Sequence, residues 1–445
     1  MSLQSLIDKP EDLLKLIDSC LKPKKIEKKK YGEVFTPMNI VNDMLDKLDI
    51  YYKQKNGKSI FGEKNFRWFD PANGMGNFPI GIYYKLNDGL KKVISNQEER
   101  KKHILEKMLY MSEYNIKNVF VSNQIFDINN NYKLNIYQGD SLKLNTEKEW
   151  GIREFDVVIG NPPYNKELKS SGATALYNEF VETFINKCKY QTFVIPSRWF
   201  SGGKGLNKFR KNMLKRTDIV YINHYEDSSK IFGNNVSIEG GVNYYLIDKT
   251  YKGLCNFNNQ NINIGKYDIL VTNHLNYNLL DKLIKYPNIN SICKGRYFDI
   301  ETNDKRFIDK NKNTLKCFVS KQKGFIKYID KKNIKREYKF WKVVTPRANG
   351  CKKKFGNIFS ANENEVHSGS YISFKVETKK ESESLISYLK CKLPNILLGL
   401  RKISQNINGK VCKWIPLPPL DRTWTDEEIY IYYKLTKDEI LFINK

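Results

Sequence analysis

Between residues 31 and 250 short apolar runs alternate with helical stretches, and this alternation limits the possible folds more than any other feature. In order the segments read FRWFD, PIGIYYKL, KMLYMSEY, IKNVFVSNQIF, KLNIYQGD, FDVVIGNPPY, YNEFVETFINKC, QTFVIPS, DIVYINHY and GGVNYYLID. Strands alternating with helices over about 200 residues predict a doubly wound, mostly parallel α/β sheet. The last two runs have no helix-length segment between them, so they are expected to pair antiparallel at the edge of that sheet.

Before this region, Leu3, Leu6, Ile7, Leu13, Leu14, Ile17 and Leu21 recur at helical spacing and predict an N-terminal helical arm over residues 1–30, ending in the basic run KPKKIEKKK. That run reads as a solvated linker or as a phosphate contact. After residue 250 the alternation stops, which predicts a second, mixed α+β domain over residues 251–445. Within it, residues 294–354 hold twenty Lys or Arg against six Asp or Glu. Tyr297, Phe298, Phe318, Phe325, Tyr328, Tyr338, Phe340 and Trp341 are threaded among these charges. Basic residues mixed with aromatics suit a nucleic-acid surface, although half or more of those rings must build the domain's own core. ILLGLRKI and WTDEEIYIYYKLTKDEILFI read as closing helices.

The 445 residues allow two or three domains, and 40% apolar with 13% aromatic residues is too rich for a disordered chain. No apolar run approaches the roughly 18 to 20 residues of a spanning helix, so no membrane association is expected. A formal charge of +27 points to a polyanionic partner. The eight cysteines stand singly without metal-site spacing and read as reduced structural thiols. His103, His224, His274 and His367 share no ligand spacing, and no metal is expected. The start lacks the pattern of a signal peptide, which implies a cytoplasmic protein.

FDPANGMGNFP ends an apolar run in Asp70-Pro71, turns on Gly74 and Gly76, and opens a helix near Asn77. At the carboxyl end of a strand, such a turn lets a cofactor lie against bare backbone. Glu113 and Asp140 end the next two strand-like runs, and three strand-end carboxylates together suggest a nucleoside pocket. Asn161, Pro162, Pro163 and Tyr164 follow a buried strand. Two prolines hold the chain extended and withdraw two amide donors, so the carbonyls there act as pure acceptors. The Asn161 side-chain oxygen and the Pro162 carbonyl can then accept both protons of a planar amino group. A plain turn explains the prolines alone but not their conjunction with the glycine turn.

Asp-Pro-x-x-Gly-x-Gly at 70–76, Asn-Pro-Pro-Tyr at 161–164 and GEVFTP at 32–37 resemble the N6-adenine DNA methyltransferases that use S-adenosylmethionine, in which a target-recognition domain comes last. The likeness spans residues 31–250 and continues more loosely through SYISF, LRKISQNING, WIPLPP and WTDEEIY, as in restriction-modification methylases. It implies a Rossmann-like methyltransferase domain over residues 31–250 and a recognition domain over 251–445. By this resemblance Thr36 and Pro37 hold the cofactor's methionine end, Asp70, Gly74 and Gly76 form the glycine turn, Glu113 binds the ribose and Asp140 the cofactor's adenine. Thr36 and Pro37 also suit a helix N-cap and first turn. Asn161, Pro162, Pro163 and Tyr164 match the catalytic tetrapeptide, and Phe232, in the loop between the two edge strands, matches the aromatic that stacks with Tyr164 on a flipped base. Asn73 and Met75 depart from the commonest form of the turn, where a small residue and Thr are usual.

The implied partner is double-stranded DNA, with a separate restriction endonuclease as a further candidate. Asn-Pro-Pro-Tyr also occurs in methyltransferases of ribosomal RNA and of protein glutamine. The long basic second domain favours nucleic acid over protein, and intact motif residues argue against a catalytically silent specificity subunit. The residues before Tyr31 are too few for a fused nuclease.

Overall fold

The computed structural model describes residues 4–13, 15, 36–167, 173–203, 205–233, 238–272, 274–320, 324–350, 353–402 and 406–444. The basic run of the N-terminal arm and residues 32–35 of GEVFTP lie outside the described residues. Of the arm itself, a 3-10 turn at Leu6–Asp8 is followed by helical residues, and Ile7 and Leu13 are buried in the core of the main domain. The Tyr84 hydroxyl donates to the Ile7 carbonyl at 3.0 Å and Lys101 pairs with Asp8 at 2.5 Å, so this segment is fastened by polar contacts as well.

The chain forms two compact units, Met1–Leu270 and Val271–Lys445. Strands of the first are β1 (Trp68–Asp70), β2 (Leu109–Glu113), β3 (Asn135–Gln138), β4 (Phe155–Gly160), β5 (Asn165–Glu167), β6 (Ala173–Ala175), β7 (Cys188–Pro196), β8 (Ile219–Tyr225), β9 (Val242–Asp248), β10 (Cys255–Phe257) and β11 (Gln260–Ile262). Nine of them make one sheet in the order β11-β10-β8-β9-β7-β4-β1-β2-β3, while β5 and β6 form a separate antiparallel ribbon. The neighbouring strands β7, β4, β1, β2 and β3 run parallel. Every residue of β4 is buried, as helices on both faces require of a central parallel strand. The helix Met38–Asn56 buries Ile40, Val41, Met44, Leu45, Leu48 and Tyr52 at three- and four-residue spacing. It ends on Gly57, whose left-handed backbone (φ 74°) lets its amide bond the Lys53 carbonyl.

Two expectations change here. DIVYINHY and GGVNYYLID do pair antiparallel as β8 and β9, but not at the edge: β9 inserts between β7 and β8, and β10 and β11 extend the sheet beyond. All seven residues of β9 are buried, which an interior strand needs and an edge strand does not. The boundary expected after residue 250 moves to Leu270, because β10 pairs in parallel with β8 and keeps the chain in the first sheet.

Among the described residues, the second unit has two four-stranded sheets and four helices of seven residues or more near its end, including Lys379–Lys390 and Lys392–Arg401. Phe298 and Phe340 lie in its core, with Tyr297 and Tyr338 packed against them, and Phe318 joins a neighbouring cluster. The rings among the basic residues are therefore mainly structural, and cations sit over several of them: Lys294 and Arg336 over Tyr297, Lys316 over Phe318. Among the described residues, no helix is long and apolar enough to cross a membrane.

Candidate active site

β1 and β4 are parallel neighbours, yet the strands that follow them lie on opposite sides, β2 beside β1 and β7 beside β4. The strand order reverses between them, and in open α/β sheets the ligand crevice lies outside the carboxyl ends of the strands at such a point. Asp70 ends β1 there. Its Oδ1 accepts from the Ala72 amide at 2.9 Å, while Oδ2 is buried without a hydrogen-bond partner. Burial pushes the Asp70 carboxyl up to about 8, against the downward pull of the Ala72 amide and with a further upward push from Glu113. Gly160, the last residue of β4, lies against this carboxylate: a Cβ at 160 would stand 2.5 Å from Oδ1. The strand must end in glycine because Asp70 occupies the space.

The turn after Asp70 relies on left-handed backbone at Gly74 (φ 56°) and Gly76 (φ 92°), and Gly76 is the N-cap of the helix Asn77–Gly89, which opens where the sequence places it. Glu113 ends β2 and braces the turn, accepting from the Gly74 amide through Oε2 and from the Asn115 amide through Oε1, each at 2.7 Å. Asp140 lies just beyond β3 and caps the 3-10 turn Ser141–Lys143 by accepting from Leu142 at 3.1 Å; its side chain stays 38% exposed. Thr36 is buried and its hydroxyl has no partner, while its carbonyl accepts from Asn77 Nδ2 at 2.9 Å. The capping alternative for Thr36 and Pro37 shifts by one residue: Pro37 is the N-cap of Met38–Asn56 and Thr36 precedes it without capping. The Thr36 hydroxyl is thus available to a ligand.

Asn161 leaves β4 directly beside this turn. Pro162 and Tyr164 are buried, Pro163 and Asn161 half-buried. The Tyr164 carbonyl accepts from Leu176 at 3.0 Å, closing the ribbon of β5 and β6 behind the tetrapeptide. Among the described residues no backbone amide bonds the Pro162 carbonyl. Burial raises the Tyr164 phenol well above its ordinary range, only partly offset by the neighbouring Asn161 side chain. Phe232 sits in a one-turn helix, Ser229–Phe232, rather than in open loop, and its ring lies 6.5 Å from that of Tyr164. The rings are inclined by 60°, so they adjoin without offering parallel faces.

Residues 83–232 match the family model described as Eco57I restriction-modification methylase. That segment, about a third of the chain, is similar to restriction-modification methylases. A relative named as an uncharacterized adenine-specific methylase of Mycoplasma pneumoniae is 26% identical, covering 54% of this chain and 71% of that protein. Among solved structures, a nuclease-deletion mutant of the Type ISP restriction-modification enzyme LlaGI, in complex with a DNA substrate mimic, matches at TM-score 0.56 and 12% identity over 90% of this chain and 46% of its own. The ATP-dependent Type ISP enzyme LlaBIII bound to DNA matches at TM-score 0.54 and 12% identity over 97% of this chain and 41% of its own. The chain thus spans less than half of each of these two structures, and the likeness is one of fold.

Several residues of this crevice escape a reading of sequence alone. Asn73 ties the turn to the helix Ile116–Phe126 through Ser122 at 2.7 Å, and its own amide bonds the Ser112 carbonyl at 3.0 Å. Ser141 joins β1 to the turn after β3, donating to the Pro71 carbonyl at 2.5 Å beside Ser112. Tyr177, on the helix Tyr177–Phe184, lies near Tyr164, and Arg198, in the turn after β7, lies near Tyr177. The detectable signal was Ser197-Arg198 directly after the apolar run FVIP, a polar pair at a strand's carboxyl end. Of the histidines, His224 packs on Phe200 and Phe257, and His367 is buried with Ser373.

Proposed function

We propose that the chain moves a methyl group from S-adenosylmethionine to the exocyclic amino nitrogen of an adenine flipped out of duplex DNA, with a separate nuclease as its restriction counterpart. The observation that carries this reading is the segment Asn161–Tyr164, rich in acceptors, beside the Asp70 turn at the reversal of strand order. The crevice suits the methyl donor. Asp70 Oδ2, Asn73 Oδ1, Asn77 Oδ1 and the Thr36 hydroxyl are buried without partners, three acceptors and a hydroxyl that fit an ammonium group. Glu113, whose oxygens accept from the Gly74 and Asn115 amides, would hold the ribose hydroxyls, and Asp140 would take the adenine amino group. When bound, S-adenosylmethionine supplies an electrophilic methyl on a sulfonium centre.

The residues of the chain do the rest. Adenine's amino lone pair is shared with its ring, which makes it a poor nucleophile. Asn161 and the Pro162 carbonyl accept hydrogen bonds from the two amino protons, direct the lone pair out of the ring plane and hold the nitrogen toward the methyl, so proximity and aligned dipoles lower the barrier; the nitrogen gains the methyl as the methyl's bond to sulfur breaks, and one amino proton is lost to water. Unpairing the base costs a few kcal/mol, which stacking on Tyr164 and Phe232 offsets once one ring turns. The exposed lysines of the second unit contact phosphates and that unit selects the site. DNA from cells expressing the chain, sequenced for modified bases, should carry N6-methyladenine in a fixed sequence context. Unmodified DNA with methylated ribosomal RNA or protein glutamine would replace this reading with the corresponding alternative.

A further inference from the structure

Arg198 stands in the 3-10 turn Ser197–Phe200 that follows β7, the parallel neighbour of β4. The turn is held in place. The Ser197 amide bonds the Gly241 carbonyl at 2.9 Å, and Asn243 on β9 donates to both the Ile195 carbonyl and the Ser197 hydroxyl at 3.1 Å. Tyr177 is close enough to feel the charge of Arg198 and, in turn, to raise the Tyr164 phenol, though its hydroxyl makes no hydrogen bond to either.

The guanidinium on this rigid mount is poorly compensated. Its Nε is buried with no hydrogen-bond partner, and its nearest counter-ion, Glu239, reaches Nη1 only at 3.7 Å from a side chain that is 71% exposed. A guanidinium keeps its charge at any working pH, and its two Nη groups form a flat end that matches two oxygens of one phosphate. A neutral base edge would leave that charge unbalanced in a half-buried site; a phosphate neutralises it. Resting on the reading that Asn161–Tyr164 receive a flipped adenine, we propose that Arg198 binds the DNA backbone phosphate beside that nucleotide, replacing Glu239 as its partner, and thereby sets how deeply the base enters.

The test uses the full chain and the duplex site that it selects by binding from random sequences, each adenine of that site taken in turn as the target. Arg198→Gln should weaken DNA binding tenfold or more and lower the slope of log affinity against log salt by about 0.9, the share of one phosphate. Arg198→Lys keeps the charge and should recover most of the slope with only part of the affinity. Glu239→Gln should bind DNA at least as tightly as wild type, because a competitor for Arg198 is gone. A duplex with a single neutral methylphosphonate linkage next to the target should cost the wild type what Arg198→Gln costs, and cost Arg198→Gln little more. If Arg198→Gln and Glu239→Gln lose affinity and melting temperature alike, the pair is a structural ion bridge and the proposal fails. An unchanged salt slope with a loss that follows the base analogue instead of the linkage also overturns it, in favour of a base contact. These are binding readouts, so a chain that binds DNA in this way but does not methylate adenine refutes the proposed reaction and leaves the phosphate contact standing.

Discussion

Asp70 is a buried carboxyl with one empty oxygen, and its proton should leave when a cation enters the crevice. Burial holds it at about 8 in the free protein. One pH unit below that value roughly nine-tenths of the carboxyl groups carry a proton, and one unit above only about a tenth do. If an ammonium group beside Oδ2 requires the ionised form, binding of S-adenosylmethionine at pH 7 should release about 0.9 proton through Asp70, and at pH 9 about 0.1. Asp70 alone would improve the apparent affinity about tenfold over the same interval, but the ligand's amine loses its proton at about pH 8 and offsets most of that gain, so the affinities of wild type and Asp70→Asn are compared at each pH. Calorimetry in buffers of different ionisation enthalpy counts the protons, and Asp70→Asn, measured in parallel, subtracts those from the ligand's own amine. The sign for stability is opposite. Because the folded-state value is raised, the contribution of Asp70 to the stability of the free protein is fully present below the ordinary carboxyl range and is lost as pH rises toward about 8. Asp70→Asn should therefore gain on the wild type in melting temperature as pH increases. Equal proton counts for wild type and variant at pH 7, or undiminished donor affinity in Asp70→Asn, would refute the reasoning.

Gly160→Ala would put a methyl group 2.5 Å from Asp70 Oδ1 and 3.2 Å from Cγ, and a thermal melt should show a loss of about 1 to 3 kcal/mol together with weakened donor binding. Phe232→Ala should cost roughly 1 to 3 kcal/mol of DNA binding, less on a mismatched target than on a paired one, with little change in melting temperature; equal losses and a marked drop in melting temperature would make it a hydrophobic plug. Replacing the exposed Lys310, Lys312, Lys332 and Lys335 by Gln should flatten the salt dependence of DNA binding by up to about 0.9 for each phosphate no longer neutralised, which a titration at several salt concentrations measures.

The positions of Asp70, Glu113 and Asn161 at strand ends were legible because each follows a continuous apolar run, and buried parallel strands produce just such runs. Gly74 and Gly76 declared the turn for the same local reason. What local pattern does not encode is pairing at a distance. β9 enters between β7 and β8 through contacts with residues some fifty positions earlier, and only its unbroken burial hinted at an interior place. The first unit continued past residue 250 because Asn256 and Phe257 found β8, a short strand with no pattern of its own. Gly160 was hidden in the same way: its meaning lies in a carboxylate ninety positions earlier in the chain. Thr36 shows the opposite error, where a sound capping signal was displaced by one residue and freed a hydroxyl for the site.

The most direct test pairs two readouts on one variant, single-turnover methyl transfer to adenine and equilibrium binding of S-adenosylmethionine, for wild type and Asn161→Ala. An acceptor that acts chiefly as charge develops should cost on the order of 3 kcal/mol or more in the barrier, a rate lower by about a hundredfold or more, with donor affinity nearly intact. An Asn161→Ala protein that keeps half the wild-type rate, or a wild type whose label ends on a base other than adenine, would contradict the account.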